Sequence, residues 1–138
     1  MKKQTPPEPP RILQFTIEGI PPSANTYWRH DRGVTHISTE GIEWREFVAI
    51  MAPSEQFTGR VFLDIGLWLP DLRRDPDNTI KSMQDSLQYA GVVKNDRQIR
   101  RTGVYEIGID KANPRTVITV GSLELWQQWI MTQIQEVA

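Results

Sequence analysis

Between Val61 and Leu69 every second residue is aliphatic: Val61, Leu63, Ile65, Leu67 and Leu69. An unbroken period of two over this length has one stable solution in water, an extended strand with one face buried. The pattern commits the chain to a β-sheet and delivers it to Pro70 and a highly charged loop. The period then changes. Ile80, Met83, Leu87 and Ala90 recur at helical spacing, which predicts a helix from about Asn78 to Tyr89, with Gly91 as its C′ residue.

The flanks read less sharply. Leu13, Phe15 and Ile17 alternate with Gln14 and Thr16, predicting a half-buried strand that ends near Gly19; Pro21-Pro22-Ser23 begins a loop. A short strand is expected at 34–37. Ser38 caps a helix over 40–52 with Ile42, Phe47, Val48 and Met51 turned inward. Strands over 102–109 and 116–120 flank a turn at Asn113-Pro114. From Ser122 onward Leu123, Trp126, Ile130, Ile134 and Val137 form one helical stripe, suited to packing on the core or to a dimer contact. The expected organisation is a polar, proline-rich tail at 1–10, one folded domain at 11–121 and a C-terminal amphipathic helix at 122–138. A chain of 138 residues is large enough for one real core. The tail lacks the apolar segment of a secretory signal, and no apolar run is long enough to cross a membrane. Cysteine is absent, which excludes disulfides and thiolate zinc and is compatible with a reducing cytoplasm.

Chemistry concentrates after the alternating strand. Arg73, Arg74, Asp75, Asp77, Asn78, Lys81 and Asp85 fall within a short span, and Asn95-Asp96 follows. Carboxylates gathered together repel one another unless a cation sits among them, and Mg²⁺ prefers such hard oxygens. Neighbouring arginines suit a phosphate-bearing substrate. In extended backbone, Asp75 and Asp77 would share a face with Cα atoms roughly 7 Å apart. A plainer reading is a proline turn in which Asp77 or Asn78 caps the next helix. An EF-hand is a poor fit, since Ile80 and Ser86 stand where that loop needs glycine and glutamate. Lys81 is one turn beyond Asp77 and can neutralise phosphate oxygens or orient a water; alternatively it pairs with Asp85 on the helix surface. Asp85 reads equally as support for the site or as a plain helix charge. Net charge is −1, but 73–101 holds seven basic and four acidic residues, so contact with a polyanion would use this face and depend on salt.

Upstream, Asn25, Tyr27, Arg29, His30 and Arg32 surround Trp28 in a polar segment able to contact phosphates and stack on an unpaired base. His30 and His36 have no spaced partners for a triad and read as surface residues.

The runs Pro21-Pro22-Ser23-Ala24-Asn25-Thr26-Tyr27-Trp28-Arg29-His30, Arg74-Asp75-Pro76-Asp77-Asn78-Thr79-Ile80-Lys81, Asp85-Ser86-Leu87, Gly91 and Lys94-Asn95-Asp96 together resemble the RusA family of Holliday junction resolvases, often carried by phages and prophages. The likeness covers about 15–120. It implies an α/β (α+β) single domain with a mixed β-sheet flanked by helices, and a homodimer. It also implies Mg²⁺, with Mn²⁺ as a substitute, held by Asp75, Asp77 and Asp96, and Lys81 as a catalytic residue. Asn95 stands where the family often has another Asp, which puts a second-metal role there in doubt. The first group of residues, with Arg73 and Arg74, is then the DNA-binding set: Asn25, Tyr27, Arg29, Arg73 and Arg74. The activity expected is paired, symmetric hydrolysis of phosphodiesters in a four-way junction, in recombination and repair. A branched-DNA binder without cleavage, and a nuclease preferring forks or flaps, are the alternatives. All of this rests on Asp96 returning beside Asp75 and Asp77.

Overall fold

The computed structural model describes residues 8–137. In chain order its elements are β1 (Ile12–Glu18), α1 (Ala24–Tyr27), β2 (Trp28–Asp31), β3 (Val34–Ile37), α2 (Thr39–Met51), β4 (Val61–Leu69), α3 (Ile80–Tyr89), β5 (Ile99–Ile109), β6 (Arg115–Ser122) and α4 (Leu123–Val137). Short 3₁₀ turns at Pro76–Thr79 and Asp96–Gln98 lead into α3 and β5. This is the expected α+β arrangement with a mixed sheet. The main sheet has the order β1-β6-β4-β5; β6 is antiparallel to both neighbours, and β4 and β5 are parallel.

The alternating strand is the axis of the sheet. Val61, Leu63, Ile65, Leu67 and Leu69 are all buried, and they pack with Val48 of α2 and with Met83 and Leu87 of α3. Each such aliphatic contributes about 1.5–3 kcal/mol by leaving water. The α3 stripe predicted from spacing is the one buried. Gly91 has φ +81°, and its N–H reaches the Gln88 carbonyl while Val92 N–H reaches that of Leu87. That is the paired bonding of a glycine-terminated helix.

Parallel neighbours need a crossover, and α3 supplies it. The crossover places the beginning of α3 past one end of β4 and its end near the other. Val92 O accepts from Phe57 N–H at 2.9 Å, and the Gln98 amide donates to the carbonyls of Phe57 and Gly59 at 2.8 and 2.9 Å. The segment entering β5 is thereby held just ahead of Val61.

In α2 the buried residues are Gly41, Trp44 and Val48, whereas Ile42 and Met51, expected inside, face solvent. The stripe is rotated because Tyr27 packs beneath the first turn. A Cβ at Gly41 would lie 2.7 Å from the Tyr27 carbonyl oxygen, so only glycine fits that crossing. Ser38 caps α2 as expected, accepting from Gly41 N–H at 3.0 Å.

Helix α4 starts directly after β6. Leu123 is buried and Trp126 half-buried, with the Arg101 guanidinium 5.4 Å from its ring centre, while Trp129 and Ile134 are exposed. Of its expected stripe only the first part meets the core, and the Val137 side chain lies outside the described residues. Residues 1–7 of the expected tail also lie outside them. Glu8 is tied down by Arg11 at 2.6 Å and by Thr58 N–H at 2.9 Å. No helix among the described residues is long and apolar enough to cross a membrane.

Candidate functional site

The charged loop leaves the end of β4 and folds back on itself. Asp71 accepts from Arg73 N–H at 2.9 Å and pairs with its guanidinium at 2.8 Å. These bonds hold the Asp71 carboxyl below the usual carboxylate range. Arg73 itself stays in solvent, and nothing in the alternating or helical patterns singled out Asp71 as its partner.

Asp75 is extended, with φ −88° and ψ 116°, and its Oδ1 accepts from Asp77 N–H at 3.2 Å. The capping residue is therefore Asp75, not Asp77 or Asn78, and what it caps is the 3₁₀ turn Pro76–Thr79. Because Asp77 lies inside that turn, the expected extended Asp-x-Asp pair does not form. Asp75 and Asp77 are both exposed, and neither forms an ion pair among the described residues.

Lys81 lies in the first turn of α3, exposed and likewise without an ion pair among the described residues. The surface pair with Asp85 does not form. Asp85 instead accepts a short hydrogen bond from the Tyr27 hydroxyl. The Tyr27 side chain is fully buried, so its expected contact with DNA is corrected: no face of the ring is open to a base. Burial, and then the bond to Asp85, push its hydroxyl well above the ordinary tyrosine range, so it remains a donor. Trp28 is half-buried and packs edge-on against Tyr27, ring centres 4.5 Å apart.

Asn25, capped into α1 by Ser23, and Arg29 on β2 remain exposed. His30 Nδ1 bonds the Thr35 hydroxyl at 2.8 Å across the β2–β3 hairpin, an ordinary surface contact. Two ties join the segment before α1 to α3 and to the charged loop. Ser82 donates to the Pro22 carbonyl at 2.7 Å, and Arg74 reaches the Pro21 carbonyl at 3.4 Å. Between them lies a cleft of about 370 Å³, lined by Pro21, Pro22, Ser23, Arg73, Arg74, Asp75 and Asn78 among others.

Asp96 is not in this cleft. It opens the 3₁₀ turn that leads into β5, and its N–H donates to the Gln88 side chain at 3.2 Å, near the end of α3. Asp75 and Asp77 precede the other end of that helix, whose ten residues run about 15 Å. Among the described residues, no three Asp, Glu or His side chains are grouped to hold a metal ion. The expected return of Asp96 to Asp75 and Asp77 within one chain is therefore corrected. The apolar Val92-Val93 does return to the sheet, but beside Phe57, at the far end of β4. Asn95 has a local duty: its Oδ1 accepts from Arg97 N–H at 2.9 Å, while Gln98 closes the reciprocal half of a capping box. An aspartate would serve the cap equally well. The donors at Asp75 and Asp77 suit a hard divalent cation in kind, being exposed carboxylates without ion pairs. In number they supply part of a coordination sphere.

An α+β scaffold with a cleft lined by Asp75, Arg73 and Arg74, and with exposed Asp77 and Lys81 following close by in the chain, is the outline of a phosphate-handling protein. The family model for endodeoxyribonuclease RusA matches residues 18–121. The crossover junction endodeoxyribonuclease RusA of Escherichia coli (strain K12) is 36% identical over 102 residues, covering 66% of this chain and 80% of the relative. That of Enterobacteria phage 82 is 37% identical, and that of Shigella sonnei 36%, with the same coverage. The chain belongs to the RusA family. Its α4 lies beyond the segment that the family model matches.

Proposed function

We propose that this chain is an Mg²⁺-dependent endodeoxyribonuclease that resolves Holliday junctions as a homodimer. The carrying observation is that Asp75, Asp77 and Lys81, exposed and free of ion pairs among the described residues, stand beside arginines in a chain of this family. The names of the relatives supply the junction as substrate.

Asp75 and Asp77 would hold the ion, with Mn²⁺ as a substitute; bound there, it would supply Lewis-acid polarisation of the phosphate and make water a stronger nucleophile near neutral pH. Lys81, exposed in the first turn of α3, would neutralise charge that builds on the non-bridging oxygens. Arg73 and Arg74 meet the flanking phosphates, while Asn25 and Arg29 reach the backbone further along. Water adds at phosphorus opposite the 3′ oxygen, which departs; no covalent link to the enzyme is needed.

Two arguments favour a two-fold dimer. A four-way junction needs two symmetric cuts, one from each copy. In addition, Asp96 sits about a helix length from Asp75 in its own chain, so a second copy that brings its Asp96 to this cleft completes the three-carboxylate set.

The test is cleavage of a synthetic four-way junction, with Mg²⁺ against Ca²⁺, beside fork and flap substrates at equal salt. Paired nicks in the junction with Mg²⁺ support the proposal. Binding without cutting points to a silent branched-DNA binder, and faster cutting of forks or flaps to a nuclease of that preference.

A further inference from the structure

Tyr27 and Asp85 are 58 positions apart, yet the hydroxyl of one is bonded to the carboxylate of the other. Tyr27 ends α1, the turn that carries exposed Asn25, and Asp85 is one helical turn past Lys81. The tyrosine is gripped elsewhere too. Its carbonyl accepts from Ser38 N–H at 2.8 Å, the Ser38 hydroxyl donates to the Thr26 carbonyl at 2.6 Å, and Gly41 leaves room for its ring. Ser82, adjacent to Lys81, holds the Pro22 carbonyl. The wall of the cleft formed by residues 21–26 is therefore fastened to the helix that carries Lys81 at two successive points. The distal one is a charge-assisted bond, which is stronger than a neutral one.

We propose that Tyr27 and Asp85 form a positioning clamp that docks the Asn25 turn against the Lys81 helix, so that the DNA backbone meets both surfaces at a fixed spacing. Neither residue touches substrate: Tyr27 is enclosed, and Asp85 acts through it. The assignment rests on the junction-cleaving reading and adds to it a role for two residues that the chemistry itself does not use.

Four variants test it: Tyr27→Phe, Asp85→Ala, Asp85→Asn and the double Tyr27→Phe/Asp85→Ala. Tyr27→Phe and Asp85→Ala each raise the Kd for a four-way junction in Ca²⁺ about tenfold. Their single-turnover cutting rate at saturating protein with Mg²⁺ stays within about threefold of wild type. Asp85→Asn keeps an acceptor for the hydroxyl and retains near-wild-type affinity; the double variant is no weaker than either single. Amide hydrogen exchange in DNA-free protein speeds up at residues 23–28 in the Phe and Ala variants but not in the Asn variant. Unchanged exchange there overturns the clamp. So does a lowered cutting rate at unchanged affinity, which would put Asp85 in the chemistry, or an Asn variant as weak as the Ala variant. A wild type that binds no junction overturns the junction reading instead, and the exchange measurement still decides whether the clamp exists.

Discussion

Mixing Asp75→Asn protein with Asp96→Asn protein turns the distance along α3 into an activity. Each variant alone lacks one carboxylate in both copies of the site and is expected to be inactive. If the set is completed across a dimer, a mixed dimer holds one site with neither carboxylate and one with both. Random reassortment makes about half the dimers mixed, and each of these has one good site of two, so about a quarter of the sites recover. The ten residues of α3 run about 15 Å, and Mg²⁺–oxygen bonds are about 2 Å, so Asp75 and Asp96 of one chain cannot share an ion without unfolding the crossover. The assay is single-turnover cutting of a labelled four-way junction after the variants are mixed under dissociating conditions and re-formed. Recovered activity should appear as single nicks, because a mixed dimer cuts one strand only. No recovery after proven reassortment refutes the reasoning and leaves Asp96 acting within its own chain. Full activity of Asp96→Asn alone removes it from the site.

Further outcomes follow from single positions. Lys81→Ala should slow cutting at saturating protein by about a hundredfold while changing junction affinity little; equal losses in both would move Lys81 to the binding surface. Ile65→Ala, at a fully buried position of β4, should lower stability by about 2–5 kcal/mol in urea unfolding, whereas Ile42→Ala on the solvent face of α2 should cost well under half of that. Burial raises the Glu8 carboxyl, but the Thr58 N–H and Arg11 bonds outweigh it and hold it below its ordinary 4.5. A lowered folded-state value means stability that is fully present above the ordinary value and lost as pH falls from there through the folded one. Glu8→Gln should therefore melt lower than wild type at pH 7, and the gap should narrow as pH falls below the ordinary carboxylate value of 4.5.

The scaffold was legible where residue spacing alone decides structure. The period of two in β1 and β4, the helical stripe of α3 and the glycine past its end all reflect local geometry, and all appear as expected. What escaped depends on contacts between distant segments. Tyr27 looked like a surface aromatic because its neighbours Asn25, Arg29 and His30 are polar. Its burial is decided by Gly41 and Asp85, which lie 14 and 58 positions further on. The inward face of α2 shifted for the same reason. Asp96 was misplaced because Val92-Val93 signals a return to the sheet without saying to which end. The signal that could have corrected it was the second long strand at 99–109, since strands joined through one helix run parallel and leave the two loops at opposite ends. In the charged loop residue types pointed to the right chemistry, while the 3₁₀ turn and its cap by Asp75 depend on backbone detail that composition does not carry.

The most direct test of the central assignment is Asp75→Asn in a four-way junction assay with an Mg²⁺ titration. Loss of cutting at every Mg²⁺ concentration, with junction affinity close to wild type, is the predicted result. Metal-dependent cutting that survives in Asp75→Asn would contradict the placement of the reaction at the end of β4.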